Sequence, residues 1–270
     1  MFLNCFFLSI YIYRMPCKYV SVFGRIGGKV KTREKIIARF PPDDEWDTFC
    51  EVFAGSGAVF RGLDIDPNKK YILNDLNDDI YAIWVDIKKV KPEDLQAMNF
   101  VGDREKFYAL KEDNPKKLNQ RLYRNLYLSY NSYANQRVSY AQKGSKNPVS
   151  RLKKCIEAVQ DDLKKTIITN QDYIACIKRW DSPTTLFYID PPYMEKEHLY
   201  DGMSVNPYEL AEVCKKMKGK FVMSYNIHPE VKKAFEGFAF TKLKFSYQIY
   251  LKEEDRQKTT TKNEYLIQNY

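Results

Sequence analysis

Short apolar runs alternate with amphipathic stretches along most of this chain, and the alternation predicts an α/β fold. Phe49 to Phe53, Lys70 to Asp75, Thr166 to Asp172, Thr185 to Ile189 and Gly219 to Tyr225 read as strands bounded by turn residues. Thr32 to Arg39, Asp78 to Val85, Tyr173 to Trp180 and Pro207 to Met217 read as helices between them. A strand-like start at Val20 runs into Gly27-Gly28-Lys29. Ala58 to Leu63 opens a helix after the glycine turn Gly55-Ser56-Gly57. The tail adds strand-like runs at Thr241 to Leu251 and Glu264 to Asn269, with a charged loop from Lys252 to Lys262 between them. Strand, glycine turn and helix form the opening unit of a doubly wound nucleotide-binding sheet.

One stretch breaks the alternation. Arg104 to Lys165 has helical ends and an extended centre from Tyr130 to Pro148. It holds 15 Lys and Arg against 6 Asp and Glu, so the whole excess of +9 lies there and the rest of the chain is neutral. The spacing therefore divides the chain into one domain built from residues 16–85 and 166–270, a basic helical insert at 86–165, and an extra N-terminal segment at 1–15. Lys and Arg neutralise phosphates, and Asn and Arg read base edges. Arg121, Arg124, Asn131, Asn135 and Arg137 are the candidate DNA contacts. The competing reading is a helical subdomain with a solvated basic face.

Composition narrows the picture further. Six cysteines at 5, 17, 50, 155, 176 and 214 show no metal spacing and read as free thiols of a reducing, intracellular compartment. With His198 and His228 the only histidines, a histidine metal site is not expected. His228 reads as a turn or surface residue. Residues 2–13 are apolar but too short to span a bilayer, and nothing basic precedes Arg14 as a secretory signal requires. Translation from Met15, or packing of this segment on the core, are the two readings.

The chemistry centres on Asp190-Pro191-Pro192-Tyr193, which follows the strand Thr185 to Ile189. The lone pair of an aromatic amine is delocalised into its ring, which makes the nitrogen a poor nucleophile. Acceptors on both N–H bonds would localise it, and Asp190 supplies a carboxylate while the Pro191 position supplies a carbonyl. Tyr193 offers a flat face for a base taken out of its stack. Taken alone, these four residues are equally a strand end and a turn. The Gly55-Ser56-Gly57 turn lacks the third glycine of a dinucleotide fingerprint and the Lys-Ser/Thr of a phosphate loop, which argues against NAD and ATP. Asp75, closing the second strand, suits ribose hydroxyls or a helix cap; Asp172 suits a cofactor amino group or a cap. Lys29 suits a carboxylate, or is a solvated turn lysine.

Taken in order, these motifs give a family likeness across roughly residues 20 to 270. Gly24-Arg25-Ile26-Gly27-Gly28-Lys29, Phe53-Ala54-Gly55-Ser56-Gly57, Asn74-Asp75, Asp172-Tyr173, Asp190-Pro191-Pro192-Tyr193 and Glu264 to Tyr270 occur in the order seen in DNA adenine-N6 methyltransferases of the GATC-methylating type, which the chain resembles. Arg25 stands where that family has tryptophan, and Tyr130 to Asn135 only faintly echoes its base-reading stretch. The resemblance implies a Rossmann-like S-adenosylmethionine-dependent methyltransferase sheet with a mostly helical target-recognition insert. It implies S-adenosyl-L-methionine held by Arg25, Gly28, Lys29, Phe53, Ala54, Gly55, Ser56, Gly57, Asp75, Asp172 and Asp190. It also implies direct, metal-free transfer to adenine N6 of flipped bases in double-stranded DNA, with Asp190, Pro191, Pro192 and Tyr193 catalytic. A companion restriction endonuclease fits such an enzyme. Cytosine-N4 DNA or RNA methylation, or an inactive DNA-binding protein keeping the fold, are the alternatives.

Overall fold

The structure, a computed structural model, describes residues 21–24, 27–141, 147–195, 204–249 and 258–270. Seven strands form one sheet: β1 Thr48–Glu51, β2 Lys70–Asn74, β3 Thr166–Thr169, β4 Thr185–Ile189, β5 Lys220–Asn226, β6 Ala239–Ile249 and β7 Lys258–Gln268. Their spatial order is β3-β2-β1-β4-β5-β7-β6. The first five are parallel, and β7 enters antiparallel between β5 and β6. This is a Rossmann-like sheet. The chain order reverses between β1 and β4, the switch point where such sheets open a crevice beyond their strand ends.

The helices are α1 Arg33–Ile37, α2 Asp78–Lys89, α3 Arg104–Glu112, α4 Leu118–Tyr130, α5 Val149–Leu163, α6 Tyr173–Trp180, α7 Pro207–Lys215 and α8 Pro229–Ala234. Successive strand residues point to opposite faces, so Phe49 and Cys50 enter two different cores. Beneath one face lie Cys176 and Ile177 of α6, Leu210 and Cys214 of α7 and Val231 of α8, packed with Cys50, Ile72, Phe187 and Phe221. On the other, Ile83, Trp84 and Ile87 of α2 meet Phe49, Tyr71 and Leu186. That core continues without a break into Phe107 of α3, Leu122 and Leu126 of α4 and Ile156 and Val159 of α5. The four cysteines among the described residues, Cys50, Cys155, Cys176 and Cys214, are buried and form no disulfide with one another.

Three local expectations need correction. Ser21 to Gly24 bends instead of starting a strand, because Val22 and Phe23 turn inward and Phe23 packs edge-on against Trp84 at 5.6 Å. The helix expected from Ala58 shrinks to a single 3₁₀ turn, Phe60–Gly62: the Phe60 N–H donates to the buried Glu51 carboxylate at 2.9 Å, and Leu63 is already extended. The charged tail loop is shorter than expected. Lys258 to Lys262 pairs with Phe245 to Ile249, and its β-branched Thr259-Thr260-Thr261 suits an edge pairing. The expectations for residues 1–15 and 252–257 lie outside the described residues. No helix among the described residues is long and apolar enough to cross a membrane.

Candidate active site

A cleft opens at the carboxyl ends of β1, β2, β3 and β4, and every strand end contributes to it. Its floor is stitched by one side chain. The Asn74 amide donates to the Val52 and Gln171 carbonyls at 3.0 and 2.9 Å. Its Oδ1 accepts from the Gln171 N–H and the Thr169 hydroxyl, so three strand ends share a single buried amide. Asp75 then spans the next gap: Oδ2 accepts from the Gly55 N–H at 2.8 Å and Oδ1 from the Asn77 N–H at 2.9 Å. Asn77, not Asp75, caps α2 by accepting from the Asp79 and Ile80 N–H groups.

The glycine turn is held from behind by α2. Trp84 donates its indole N–H to the Gly55 carbonyl at 2.9 Å, and its ring lies where a Gly57 side chain would be, 2.7 Å from an added Cβ. Gly57 has φ +60, so the position demands glycine twice over. Phe53 stacks on Tyr173 at 5.8 Å across the cleft mouth. Ala54, Gly55 and Ser56 line the cleft wall with Gly27, Gly28 and Lys29. Asp172 lines it too, while also capping α6 through the Ile174 N–H.

At the end of β4, Asp190 and Pro192 reach the cleft and Pro191 is buried behind them. Lys29, itself buried, donates to Asp190 Oδ1 at 2.7 Å, to the Tyr193 hydroxyl at 2.8 Å and to the Gly27 carbonyl at 3.0 Å. Tyr193 in turn donates to the same Asp190 oxygen at 3.3 Å. Asp190 Oδ2 has no partner among the described residues. Burial pushes the Asp190 carboxyl up to about 6, with Lys29 opposing the rise and Glu264 adding to it. Glu51, buried beneath the cleft on β1, is pushed up to about 8 by burial, against the pull of the Phe60 N–H.

Two residues that sequence reasoning passed over belong here. Glu51 sits within an apolar strand and Glu264 within the tail motif, and neither run signals any chemistry for its carboxylate. Among the expected site residues, Tyr193 departs from the reading as an open stacking platform. It is 5 % exposed, with its ring stacked on Tyr225 at 5.9 Å. Arg25 lies outside the described residues.

The expected DNA contacts are engaged within the protein. Arg121 grips the fully buried Asp86 of α2 through Nε and Nη2, at 2.8 and 2.6 Å. Arg124 and Arg137 both pair with Asp79, at 3.3 and 3.0 Å, and both donate to Asn125 Oδ1. Asn131 is buried and donates to the Phe100 carbonyl, and the Asn135 amide packs against Gly24. The physical reason is that the acids of α2 need counter-charges where α4 and the Ser132–Tyr140 loop pack over them. What that loop exposes instead is Tyr133, at 68 %, and Val138, at 53 %. Exposed cations lie on α3 and before α4, among them Arg104, Lys106, Lys116 and Lys117.

Residues facing the cleft suit a cationic cofactor. Asp75, Asp172 and Asp190 outnumber Lys29, and the buried Gln171 Oε1 lacks a partner in the cleft wall. No group of side chains among the described residues is arranged to hold a metal.

No curated protein sequence matches the chain. Among solved structures it is similar to the precorrin-6y C5,15-methyltransferase of Geobacter metallireducens, with 11% identity, 92% of both chains covered and a TM-score of 0.44. It is also similar to the Escherichia coli chain yhhF, named as a methyltransferase, with 9% identity, 91% of this chain and 96% of that one covered, and a TM-score of 0.36. The sequence profile of the D12 class N6 adenine-specific DNA methyltransferases matches residues 26–260, and the chain belongs to that family.

Proposed function

We propose that this protein transfers a methyl group from S-adenosyl-L-methionine to adenine N6 in double-stranded DNA, acting on a base flipped out of the helix. The observation that carries the reading is the half-used Asp190 carboxylate. Lys29 and Tyr193 fix Oδ1 and leave Oδ2 as an acceptor at the edge of a cleft built for a nucleoside cofactor. Bound there, the cofactor supplies a methyl group on a sulfonium. In this reading Asp75 meets ribose hydroxyls, Asp172 and Gln171 meet an amino group, and the Gly55-Ser56-Gly57 backbone allows close approach.

Asp190 Oδ2 and the Pro191 carbonyl each accept one N–H of the amine, which holds the nitrogen lone pair on the methyl carbon's line of attack. Methyl transfer, with the demethylated sulfur as leaving group, would make the nitrogen cationic, and Asp190 Oδ2 would take its surplus proton. Tyr193 serves first by fixing Lys29 and Asp190, and a stacked base would lie over the edge of its buried ring. The insert is the target-recognition region. Its DNA face is the Tyr133–Val138 loop tip flanked by exposed lysines, with the three arginines bracing it from behind.

The test is incubation with tritiated S-adenosylmethionine and unmethylated duplex DNA, followed by digestion to nucleosides. Label in N6-methyldeoxyadenosine is expected. Label in N4-methyldeoxycytidine overturns the base assignment, and no label in the DNA overturns the substrate.

A further inference from the structure

Lys29 has three protons, and the structure uses all of them: on Gly27, on Tyr193 and on Asp190. A second carboxylate nevertheless stands against the same nitrogen. Glu264 Oε2 lies 3.8 Å from Lys29 Nζ, is buried, and accepts no hydrogen bond among the described residues. Glu264 is 8 % exposed and sits on β7, opposite Asn226 at the carboxyl end of β5. A buried carboxylate oxygen with no donor is costly to the fold, so its presence calls for a compensating role. As a structural counter-ion it is redundant, because Asp190 already pairs with Lys29 at close range. Two carboxylates share one ammonium, and the cluster keeps an uncompensated negative charge at the point where the proposed reaction makes a nitrogen cationic.

We propose that Glu264 is a positioning residue for methyl transfer: it shares the Lys29 charge, so that Asp190 stays a strong acceptor for the amine instead of being neutralised by its own lysine. The inference rests on the methyltransferase reading of the cleft and adds a residue to it. The groups around Asp190 give the idea its sign. Lys29 and the Tyr193 hydroxyl lower the proton affinity of Asp190; Glu264 raises it. Glu51 on β1 and Tyr188 on β4 also feel the Asp190 charge, but neither touches Lys29. Removing the Glu264 charge therefore leaves Lys29 wholly to Asp190 and makes that carboxylate a weaker base.

The experiment compares the full-length protein with Glu264→Gln and Glu264→Asp. Asp190 is titrated by NMR through 13C-labelled aspartate carboxyls, its signal assigned by its loss in Asp190→Asn. In Glu264→Gln the Asp190 midpoint should fall by roughly half a unit or more, and methyl transfer at saturating substrates should slow about threefold to tenfold. The melting temperature should hold or rise, since an unsatisfied buried charge has been removed. Glu264→Asp, which keeps the charge, should retain most of the midpoint. An unchanged Asp190 midpoint in Glu264→Gln overturns the proposal. So does equal behaviour of the Gln and Asp variants, or a melting temperature so lowered that Glu264→Gln fails to fold, since either makes the role steric. The NMR titration needs no turnover, so a wild-type protein inactive on DNA would count against the proposed substrate and leave the test of Glu264 intact.

Discussion

Asp86 and Asp190 each face one basic side chain, but the two pairs are built to opposite ends. Under the helical insert, Arg121 reaches both oxygens of Asp86, which has no exposure of its own. At the strand ends, Lys29 reaches one oxygen of Asp190 and leaves the other toward the cleft. The same contrast holds around them. Asp79 takes up Arg124 and Arg137 over the start of α2, whereas Glu264 and Gln171 in and near the cleft retain buried oxygens without donors. Closed pairs hold the helical region against the sheet, whereas Asp190 keeps one oxygen for the cleft. A count of basic residues measures charge; the pairing decides which of it a partner can reach.

The largest effect should come from the open pair. Asp190→Ala is expected to lower methyl transfer by about a thousandfold or more, while DNA binding, followed by gel shift, changes little. Comparable turnover in that variant would remove Asp190 from the chemistry. In the wild type, activity should fall as pH drops through about 6, because the raised carboxyl then takes a proton and loses its acceptor oxygen. A rate flat from pH 5 to 8 would contradict this.

Next comes the closed pair. Arg121→Ala strands a buried carboxylate, and chemical denaturation should show a loss of about 2 to 3 kcal/mol. The rate per folded molecule should survive. An Arg121→Ala protein of normal stability but weak DNA affinity would reverse the comparison and return that arginine to the DNA face. The smallest effect belongs to the exposed lysines. Lys116→Ala and Lys117→Ala should leave stability within about 0.5 kcal/mol. Each should flatten the salt dependence of DNA affinity by about one unit of slope if its lysine meets a phosphate.

What the sequence shows plainly is whatever a local run can encode. The five parallel strands, the Gly55-Ser56-Gly57 turn and the acids closing β2 and β4 are each a short apolar block followed by its own punctuation. The structure gathers Lys29, Asp75, Asp172 and Asp190 at one sheet edge because strand ends in this topology converge there. What stays hidden is pairing across distance. Nothing near Arg121 announces that Asp86 is buried, so a solvated-looking arginine reads as a DNA contact. Glu51 is masked by the phenylalanines around it, although its carboxylate accepts the Phe60 N–H that opens the 3₁₀ turn. Glu264 acquires meaning only once β7 slots between β5 and β6 and meets a lysine from the opposite end of the chain.

That insertion of β7 has a consequence for synthesis on the ribosome. A nascent chain that has emerged through β5 can pair all its parallel strands and pack α1 to α7 against them, with α8 still to come. Yet β5 still presents an unpaired edge, and Lys29 has met Asp190 but not Glu264. The edge is satisfied, and the charge cluster completed, by the strand made last among those described, which must displace any premature docking of β6 against β5 to reach its place. Completion of the charge cluster thus waits for β7, and a truncated product lacking that strand would be folded in large part and sticky along one edge.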